Sequence, residues 1–547
     1  MKTLLDFLES RTGVRHPLAG LARLGVPGGP RFAHSTGGLL LLFIMLQALT
    51  GFVLALHYAP SVGTAWASLV FLEERIRAGA FIRGLHAWGA SAIVLLVVLH
   101  FVTTVARGAY RTPREVSWIL GLLLALLVLV FAHTGYLLPW DQKGYWSTRV
   151  ATGIAGSTPL VGPALQRLAV GGEDAGNLTL TRFYAVHVIL LPFLLVLLVR
   201  AHLKTFARNG PAGEGAPVPY FPGQALRDLV AFSAAFGALA LVAWKVGPSL
   251  EAPADPSSDF RPRPEWYFLP LYQFLKLLPG RLEFVGAEVV PGIVFALLLA
   301  LPWIDRRSRK AALAVAFVPL GVAALLGAAA AMQDRSDADL AQHRKEEAKD
   351  AALARRLFLA EGGVPVEGPL ALLDRYPPRL GAHVWKDRCA TCHAGTGLKG
   401  PDLTGYLSPR WLEDVIRDPA AKFGEIDSMG KTPGKPDEIA ALAVYVLSLE
   451  SPERAAALKA DQIARGKALF GEKQCDSCHD VKPGKSSDEG PNLAGYGSAE
   501  WLQEFVKKPA RFYVSHDKMP AFEDKLTGAE LRGVVDHVRS LRNPEED

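Results

Sequence analysis

Seven stretches of this chain are apolar over the length needed to cross a bilayer, and all of them lie before residue 333. A hydrocarbon core of about 30 Å takes about 20 helical residues, and segments 34–57, 81–105, 116–138, 183–205, 228–247, 285–304 and 311–332 meet that requirement. Lipid offers the backbone no hydrogen-bond partner, so each span is expected to be a helix. If the spans alternate in direction, four basic segments fall on one side. They are Arg11, Arg15, Arg23 and Arg31; Arg107, Arg111 and Arg114; Lys204 and Arg208; and Arg306, Arg307, Arg309 and Lys310. That side is cytoplasmic by the positive-inside rule, and an odd number of crossings sends the C-terminus to the opposite face. Met1–Arg31 has no compact apolar core before a small-residue cleavage site, so the first span is expected to act as an uncleaved anchor. A net charge of +6 without a basic stripe excludes a nucleic-acid binder.

Four histidines stand inside these spans in two matched pairs. His86 and His100 are 14 residues apart on the second span, and His187 and His202 are 15 apart on the fourth. Fourteen residues make close to four helical turns and about 21 Å, so each pair lies near one face of its helix, toward opposite ends. The second and fourth spans run in the same direction, which levels His86 with His187 and His100 with His202. A single histidine in an apolar helix is as readily a packed core residue as a ligand. Four at matched depth are better explained by function, because polar groups in lipid are costly. Gly37 and Gly51 on the first span are also 14 apart, as are Gly121 and Gly135 on the third. Such glycines would let a flat macrocycle approach, and two bis-imidazole heme sites stacked across the membrane follow. His57 and His133 have no partner at matching depth and are read as ordinary structure.

Beyond residue 332 the chain reads as soluble protein. A charged connector at 333–380, helical around Asp334–Leu359, precedes a duplicated unit. Gly400-Pro-Asp-Leu-Thr-Gly-Tyr406 returns as Gly490-Pro-Asn-Leu-Ala-Gly-Tyr496, and the string beginning at Trp411 returns at Trp501, both shifted by 90. The four cysteines of the chain form two Cys-x-x-Cys-His motifs, Cys389/Cys392/His393 and Cys475/Cys478/His479. Two thiols and the adjacent imidazole are what covalent c-type heme attachment needs. A zinc or redox Cys-x-x-Cys is the alternative, disfavoured by the immediate histidine and the helical repeat. No thiol is left for an iron–sulfur cluster. Met429 and Met519, again 90 apart, are the methionines beyond 332 and are the candidate sixth ligands; His383 and His516 are weaker competitors. Histidine–methionine ligation raises a heme's potential.

Several strings complete a resemblance. Thr50-Gly51-Phe52, Gly135-Tyr136-Leu137-Leu138-Pro139-Trp140-Asp141-Gln142 and Thr179-Leu180-Thr181-Arg182-Phe183-Tyr184 resemble cytochrome b of the Rieske/cytochrome b complexes. The 15-residue interval is similar to that of the chloroplast branch. Segment 252–307, with Ala254-Asp255-Pro256 and Pro264-Glu265-Trp266-Tyr267, resembles that branch's three-helix subunit joined to the first four helices. The resemblance spans roughly residues 20–332. It implies a low-potential heme b on His86/His187 and a high-potential heme b on His100/His202, with Arg83 available to a propionate. Ser35 stands where that branch has a heme-tethering cysteine, so a covalent third membrane heme is not expected, and Ala87 replaces an arginine.

The expected architecture is therefore all-α. A cytoplasmic segment 1–33 leads into a four-helix diheme b core at 34–210 and a three-helix region at 211–332. A linker at 333–380 and two small cytochrome c-type helical domains, 381–455 and 456–547, complete the chain. Glu265 is the candidate proton acceptor for quinol, supported by Tyr267, since a carboxylate of tuned basicity suits that task. The resemblance implies bifurcated quinol oxidation in a bacterial inner membrane. One electron would go to a Rieske iron–sulfur protein and one through two b hemes to a second quinone site, with proton release outside. Two covalent c hemes would pass electrons to a soluble cytochrome c, a cupredoxin or a terminal oxidase, and the family implies a homodimer. Flow in the reverse direction, from a periplasmic donor into the quinone pool, and a non-catalytic electron conduit are the other readings the sequence leaves.

Overall fold

A computed structural model describes residues 25–547 apart from 214, 279, 396–398, 424–428, 484–489, 513–518 and 543–547. The weak competitor His516 and the arginines before residue 25 lie outside the described residues. The chain divides into two compact units, Met1–Leu370 and Ala371–Asp547.

The first unit is a helical bundle. Its elements are α1 (Thr36–Ala55), α2 (Ala65–Arg75), α3 (Gly79–Ala106), α4 (Glu115–Leu137), α5 (Gln142–Gly156) and α6 (Gly162–Val170). They continue with α7 (Asn177–Asn209), α8 (Gly223–Lys245), α9 (Leu269–Lys276), α10 (Val285–Leu299), α11 (Leu301–Arg307), α12 (Arg309–Ser336) and α13 (Ala338–Glu361). A two-stranded ribbon, β1 (Gly25–Pro27) with β2 (Pro217–Pro219), pairs antiparallel. Among the described residues six helices, α1, α3, α4, α7, α8 and α12, are long and apolar enough to cross a membrane, and α10 with α11 makes a seventh only as a pair bent by 62°. That pair is the stretch expected at 285–304, with a bend that its apolar length did not reveal. Pro302 has no N–H for the Leu298 carbonyl, which breaks the ladder, and the Trp118 indole of α4 donates to that carbonyl instead at 2.7 Å. Arg111 pairs with Asp305, and Arg306 with Glu115 at 2.7 Å, so two of the basic connections gather at one end of the bundle.

A single π-turn, Val186–Leu190, sits at His187 inside α7, where the Leu191 N–H reaches back to the Val186 carbonyl. Pro192, one residue on, offers no N–H to Val188, and the skipped bond is absorbed by the wider turn. The turn inserts one residue between His187 and His202. The 15-residue interval on α7 thereby presents its imidazoles in the same register as the 14-residue interval on α3.

The charged connector is not a free linker over its whole length. α13 starts on Asp337, whose carboxylate caps the Leu340 N–H at 2.9 Å, and it packs on the bundle. Phe358 meets Trp66 edge-on with ring centroids 6.3 Å apart, and Arg355 pairs with the buried Glu73 and with Glu74.

At the same end, residues 140–144 and 251–258 are laced together. The Gln142 N–H donates to the Ala252 carbonyl at 3.0 Å and the Ala254 N–H to the Trp140 carbonyl at 3.1 Å. Asp141 accepts main-chain N–H groups from Gly144 at 2.9 Å and Glu251 at 3.1 Å. Two donors on one carboxylate favour its ionised form, so the proton shared by this buried pair belongs to Glu251. Burial and the Asp141 charge push Glu251 up to about 8.

The second unit contains α14 (Pro377–Val384), α15 (Pro409–Arg417), α16 (Pro436–Ser448), α17 (Ala460–Glu472), α18 (Ala499–Lys507) and α19 (Gly528–Ser540). The two copies of the repeat, expected at 381–455 and 456–547, pack into each other within this unit. Helix α14 of the first copy packs on α19 of the second, and α17 of the second packs on α16 of the first. Glycine permits both crossings: a Cβ on Gly381 would enter the Gly533 backbone, and one on Gly466 would land on the Ala441 carbonyl and 2.7 Å from Tyr445 Cβ. Tyr406, Leu407, Trp411, Leu442, Phe470, Leu493, Tyr496 and Val535 belong to one continuous core drawn from both copies.

Two outcomes follow. Gly466→Val should destabilise the C-terminal unit by about 1–3 kcal/mol through overpacking, read as a lowered thermal midpoint; an unchanged midpoint would contradict the close crossing. Glu251 holds its proton in the folded state at pH values where the unfolded chain has lost it. Its stabilising contribution is complete below about 4.5 and is lost as pH rises through about 8. Glu251→Gln should therefore melt higher than wild type above that pH, by on the order of 1–3 kcal/mol, with the gap closing toward pH 5 in a pH series of thermal melts. A gap independent of pH would assign the proton elsewhere.

Candidate functional site

The histidines of α3 and α7 meet as their spacing predicts. His86 and His187 face each other with ring centroids 6.4 Å apart. Metal–imidazole bonds are about 2.0–2.1 Å long, so two imidazoles sharing one metal ion would have centroids about 6 Å apart. At the other end of the helices, His100 and His202 lie close enough to interact electrostatically.

Each of the four glycines faces one of these rings. A Cβ on Gly51 would stand 3.0 Å from His86 Cε1, on Gly135 2.8 Å from His187 Cε1, on Gly37 3.4 Å from His100 Cε1, and on Gly121 3.5 Å from His202 Cε1. The clearance they give is for the imidazole itself, a more specific reason than the macrocycle edge that spacing suggested.

Sequence reasoning passed over the residues before three of these glycines. The hydroxyls of Thr50, Thr134 and Thr36 lie 3.0, 2.9 and 3.0 Å from Nδ1 of His86, His187 and His100. Thr50 donates its own proton to the Leu46 carbonyl at 2.8 Å, and Thr134 to Val130 at 2.9 Å. Each oxygen must therefore accept from Nδ1–H, which leaves Nε2 unprotonated toward the opposing ring. Thr36 has the equivalent outlet in Thr103, whose own hydroxyl donates to the His100 carbonyl. Such partners set tautomer and ring orientation at metal sites. Leu120 precedes Gly121, and His202 Nδ1 is buried without a hydrogen bond. The signal was legible as three Thr-Gly pairs on the same 14-residue grid.

Other residues singled out from the sequence fall as follows. The Arg83 guanidinium is held by Glu73 and by the Ser249 carbonyl at 2.7 Å. Ser35 is buried and accepts from Gln224 at 3.2 Å. His57 bonds the Val53 carbonyl of its own helix at 3.0 Å, and His133 packs against Tyr136, Phe183 and Phe268.

Pro264–Tyr267 forms the turn that opens α9: the Glu265 carbonyl accepts the Phe268 N–H at 2.8 Å. The Trp266 indole lies 3.4 Å from the Ser91 hydroxyl of α3, five residues from His86. The Glu265 carboxylate pairs with Lys143 at 2.5 Å and acts electrostatically on Tyr136 and Tyr267. Burial and that carboxylate push the Tyr267 phenol up, so it stays a proton donor. Lys143 gave no signal in the sequence.

In the second unit His393 Nδ1 lies 2.9 Å from the Pro401 carbonyl and His479 Nδ1 3.0 Å from the Pro491 carbonyl. Both rings donate Nδ1–H and keep Nε2 free, so the repeated Gly-Pro string is an imidazole clamp. A Cβ on Gly400 or Gly490 would meet His393 or His479 Cε1 at 2.6 or 2.9 Å. Cys389, Cys392, Cys475 and Cys478 form no disulfide and are partly exposed, and burial pushes Cys389 up to about 11. Among the described residues no three His, Cys, Asp or Glu side chains converge into a metal-ion cage. Met429 and Met519 are partly buried, each just after a stretch outside the described residues, and Met519 with Pro520 lines a cavity of about 470 Å³. His383 is exposed on α14.

The family model described as cytochrome b/b6/petB matches residues 24–210, and that described as cytochrome b(C-terminal)/b6/petD matches 257–333. The model for cytochrome c oxidase, cbb3-type, subunit III matches twice, at 377–446 and 461–538. Cytochrome b6 of Tupiella akineta is 36% identical over 213 residues, covering 39% of this chain and 99% of that protein. Cytochrome b of Rhodobacter capsulatus is 32% identical over 346 residues, covering 55% of this chain and 79% of that protein. A solved hyperthermophilic respiratory Complex III chain superimposes with a TM-score of 0.51 at 25% identity, over 59% of this chain and 95% of its own. The chain belongs to the cytochrome b/b6 family, as an electron-transfer subunit of a bc-type complex that carries a duplicated cytochrome c region on the same polypeptide.

Proposed function

We propose that the chain is the cytochrome b/c subunit of a quinol-oxidising complex, with two b-type hemes in the bundle and two covalent c-type hemes in its C-terminal unit. His86/His187 and His100/His202 would hold the b hemes. Cys389/Cys392/His393 and Cys475/Cys478/His479 would hold the c hemes, with Met429 and Met519 as sixth ligands. The bound hemes supply one-electron carriers along the bundle and in the tail.

The chain's own residues do the rest. Quinol must lose two protons and two electrons, and the Glu265 carboxylate, with the Tyr267 phenol beside it, is placed to take a proton. The observation that carries the reading is the place of the Glu265 turn against the bundle: the Trp266 indole beside it lies 3.4 Å from the Ser91 hydroxyl, five residues from His86, and Phe268 packs edge-on against His133. Proton removal and the first electron carrier are then neighbours, as coupled oxidation requires. One electron would leave to a Rieske iron–sulfur protein of another subunit and the other along α3 and α7 toward His100/His202 and a second quinone site. Quinone from the membrane pool is the substrate and a soluble carrier or terminal oxidase the acceptor, in a homodimeric complex. The basic end of the bundle is then cytoplasmic, and the Glu265 end and the heme c unit extracytoplasmic, in a bacterial inner membrane.

Quinol-driven reduction of the c hemes in purified complex tests the reading. Glu265→Gln should lower kcat by about 100-fold or more with the protoheme-to-heme c ratio unchanged in a pyridine hemochrome assay; full activity would remove the carboxylate from the reaction. Thr134→Val should weaken b-heme retention at His187 by about 10–100-fold, seen as a protoheme content falling toward half on dilution or detergent challenge. Unaltered retention would show that the hydroxyl does not orient the ring.

A further inference from the structure

We propose that Lys143 is the positioning residue of the quinol site: its ammonium holds the Glu265 carboxylate beside Tyr136 and Tyr267 until a quinol proton neutralises it. The inference rests on Glu265 being the proton acceptor and names what controls it.

Lys143 Nζ and Glu265 Oε1 are 2.5 Å apart, although the residues are 122 positions apart in the chain. Both side chains are mostly covered, 24% and 30% exposed, so the pair is neither a solvated surface contact nor a sealed core bridge. The lysine backbone is held on both sides. Lys143 is the second residue of α5, whose first turn is capped by Asp141 at the Gly144 N–H, and the preceding Gln142 N–H donates to the Ala252 carbonyl at 3.0 Å. The four-carbon stem is then the movable part of the residue. The titratable groups that act on the ammonium are Glu265, Glu251 and Asp141, and those linked electrostatically to the Glu265 carboxylate are Lys143, Tyr136 and Tyr267.

Lys143 is the cation paired with the Glu265 carboxylate and is what fixes its place. Without it the carboxylate, at the margin of an apolar bundle, would turn toward water. In the transfer step the quinol O–H bond breaks, the proton bonds to a Glu265 oxygen, and the quinol is left as its anion. The ion pair loses its attraction, the neutral carboxylic acid is free to turn outward, and it gives the proton to water. The regenerated carboxylate then pairs with Lys143 again. Atoms and charge balance without another reactant.

The test uses the intact complex and quinol-driven c-heme reduction, with Lys143→Met, Lys143→Arg, Glu265→Gln and the Lys143→Met/Glu265→Gln double variant. Lys143→Met should lower kcat by about 10-fold or more, the order that misplacing a reacting group costs, with KM within about twofold and heme spectra unchanged. Lys143→Arg should recover most of the rate, and Lys143→Met should cost nothing further once Glu265 is Gln. Should Lys143→Met lose heme, Lys143→Gln carries the same expectations. Wild-type kcat in the Lys143 variants, or an equal loss in the Glu265→Gln background, would overturn the inference. A fully active Glu265→Gln would instead sink the acceptor reading and this inference together.

Discussion

Four imidazoles can stand between the helices of this bundle because four positions on α1 and α4 have no side chain. Each glycine brings a helix backbone to a histidine Cε1; a Cβ would be tight or clash at Gly51 and Gly135 and would just touch the ring at Gly37 and Gly121. The preceding threonines then use that proximity. A hydroxyl already committed to a carbonyl one turn back can only accept, so it fixes Nδ1–H and leaves Nε2 bare. Backbone approach, tautomer and ring orientation are thus one arrangement. It recurs in another form in the C-terminal unit, where Gly400-Pro401 and Gly490-Pro491 bring a main-chain carbonyl, instead of a hydroxyl, to the same nitrogen.

The grid of histidines and glycines was legible because helical periodicity is a property of the chain alone. What spacing could not supply was its correction. Fifteen residues on a regular α-helix overshoot four turns, and the π-turn at Val186–Leu190 removes the mismatch. Its local cause, Pro192, was visible in the sequence, but a proline can kink, break or widen a helix, and neighbours decide which. At Pro302 the helix breaks, because Trp118 takes the orphaned carbonyl and the chain can turn there. The second outcome depends on a partner 180 residues away.

The C-terminal repeat shows the same limit more strongly. Duplication and motifs could be read from the sequence, and two copies of one small helical domain were the expectation, but Gly381 and Gly466 gave no sign of the crossings they permit. Nothing in two similar copies says which terminal helix pairs with which, since α16 and α19 present equivalent faces to α14 and α17. The pairing observed, α14 with α19 and α17 with α16, makes the copies interdependent. A contact such as Lys473–Glu438, 3.1 Å, joins the end of one copy's first helix to the start of the other copy's last.

The quinol-site end is organised by charge under partial cover rather than by periodicity, which is why its lysine escaped notice. Residues 140–144 and 251–258 fix each other's backbones through main-chain hydrogen bonds and the Asp141 carboxylate. The frame leaves long side chains as the movable parts. Arg83 and Arg355 both converge on Glu73, which is 3% exposed, and a carboxylate so deeply buried needs more than one cation. Lys143 faces a different requirement. If Glu265 is the proton acceptor proposed above, its charge changes during turnover, so a pair too deeply buried would bind the carboxylate too firmly, and one fully exposed would not hold it at all. Intermediate cover gives an attraction large enough to aim the group and small enough for a single proton to release it.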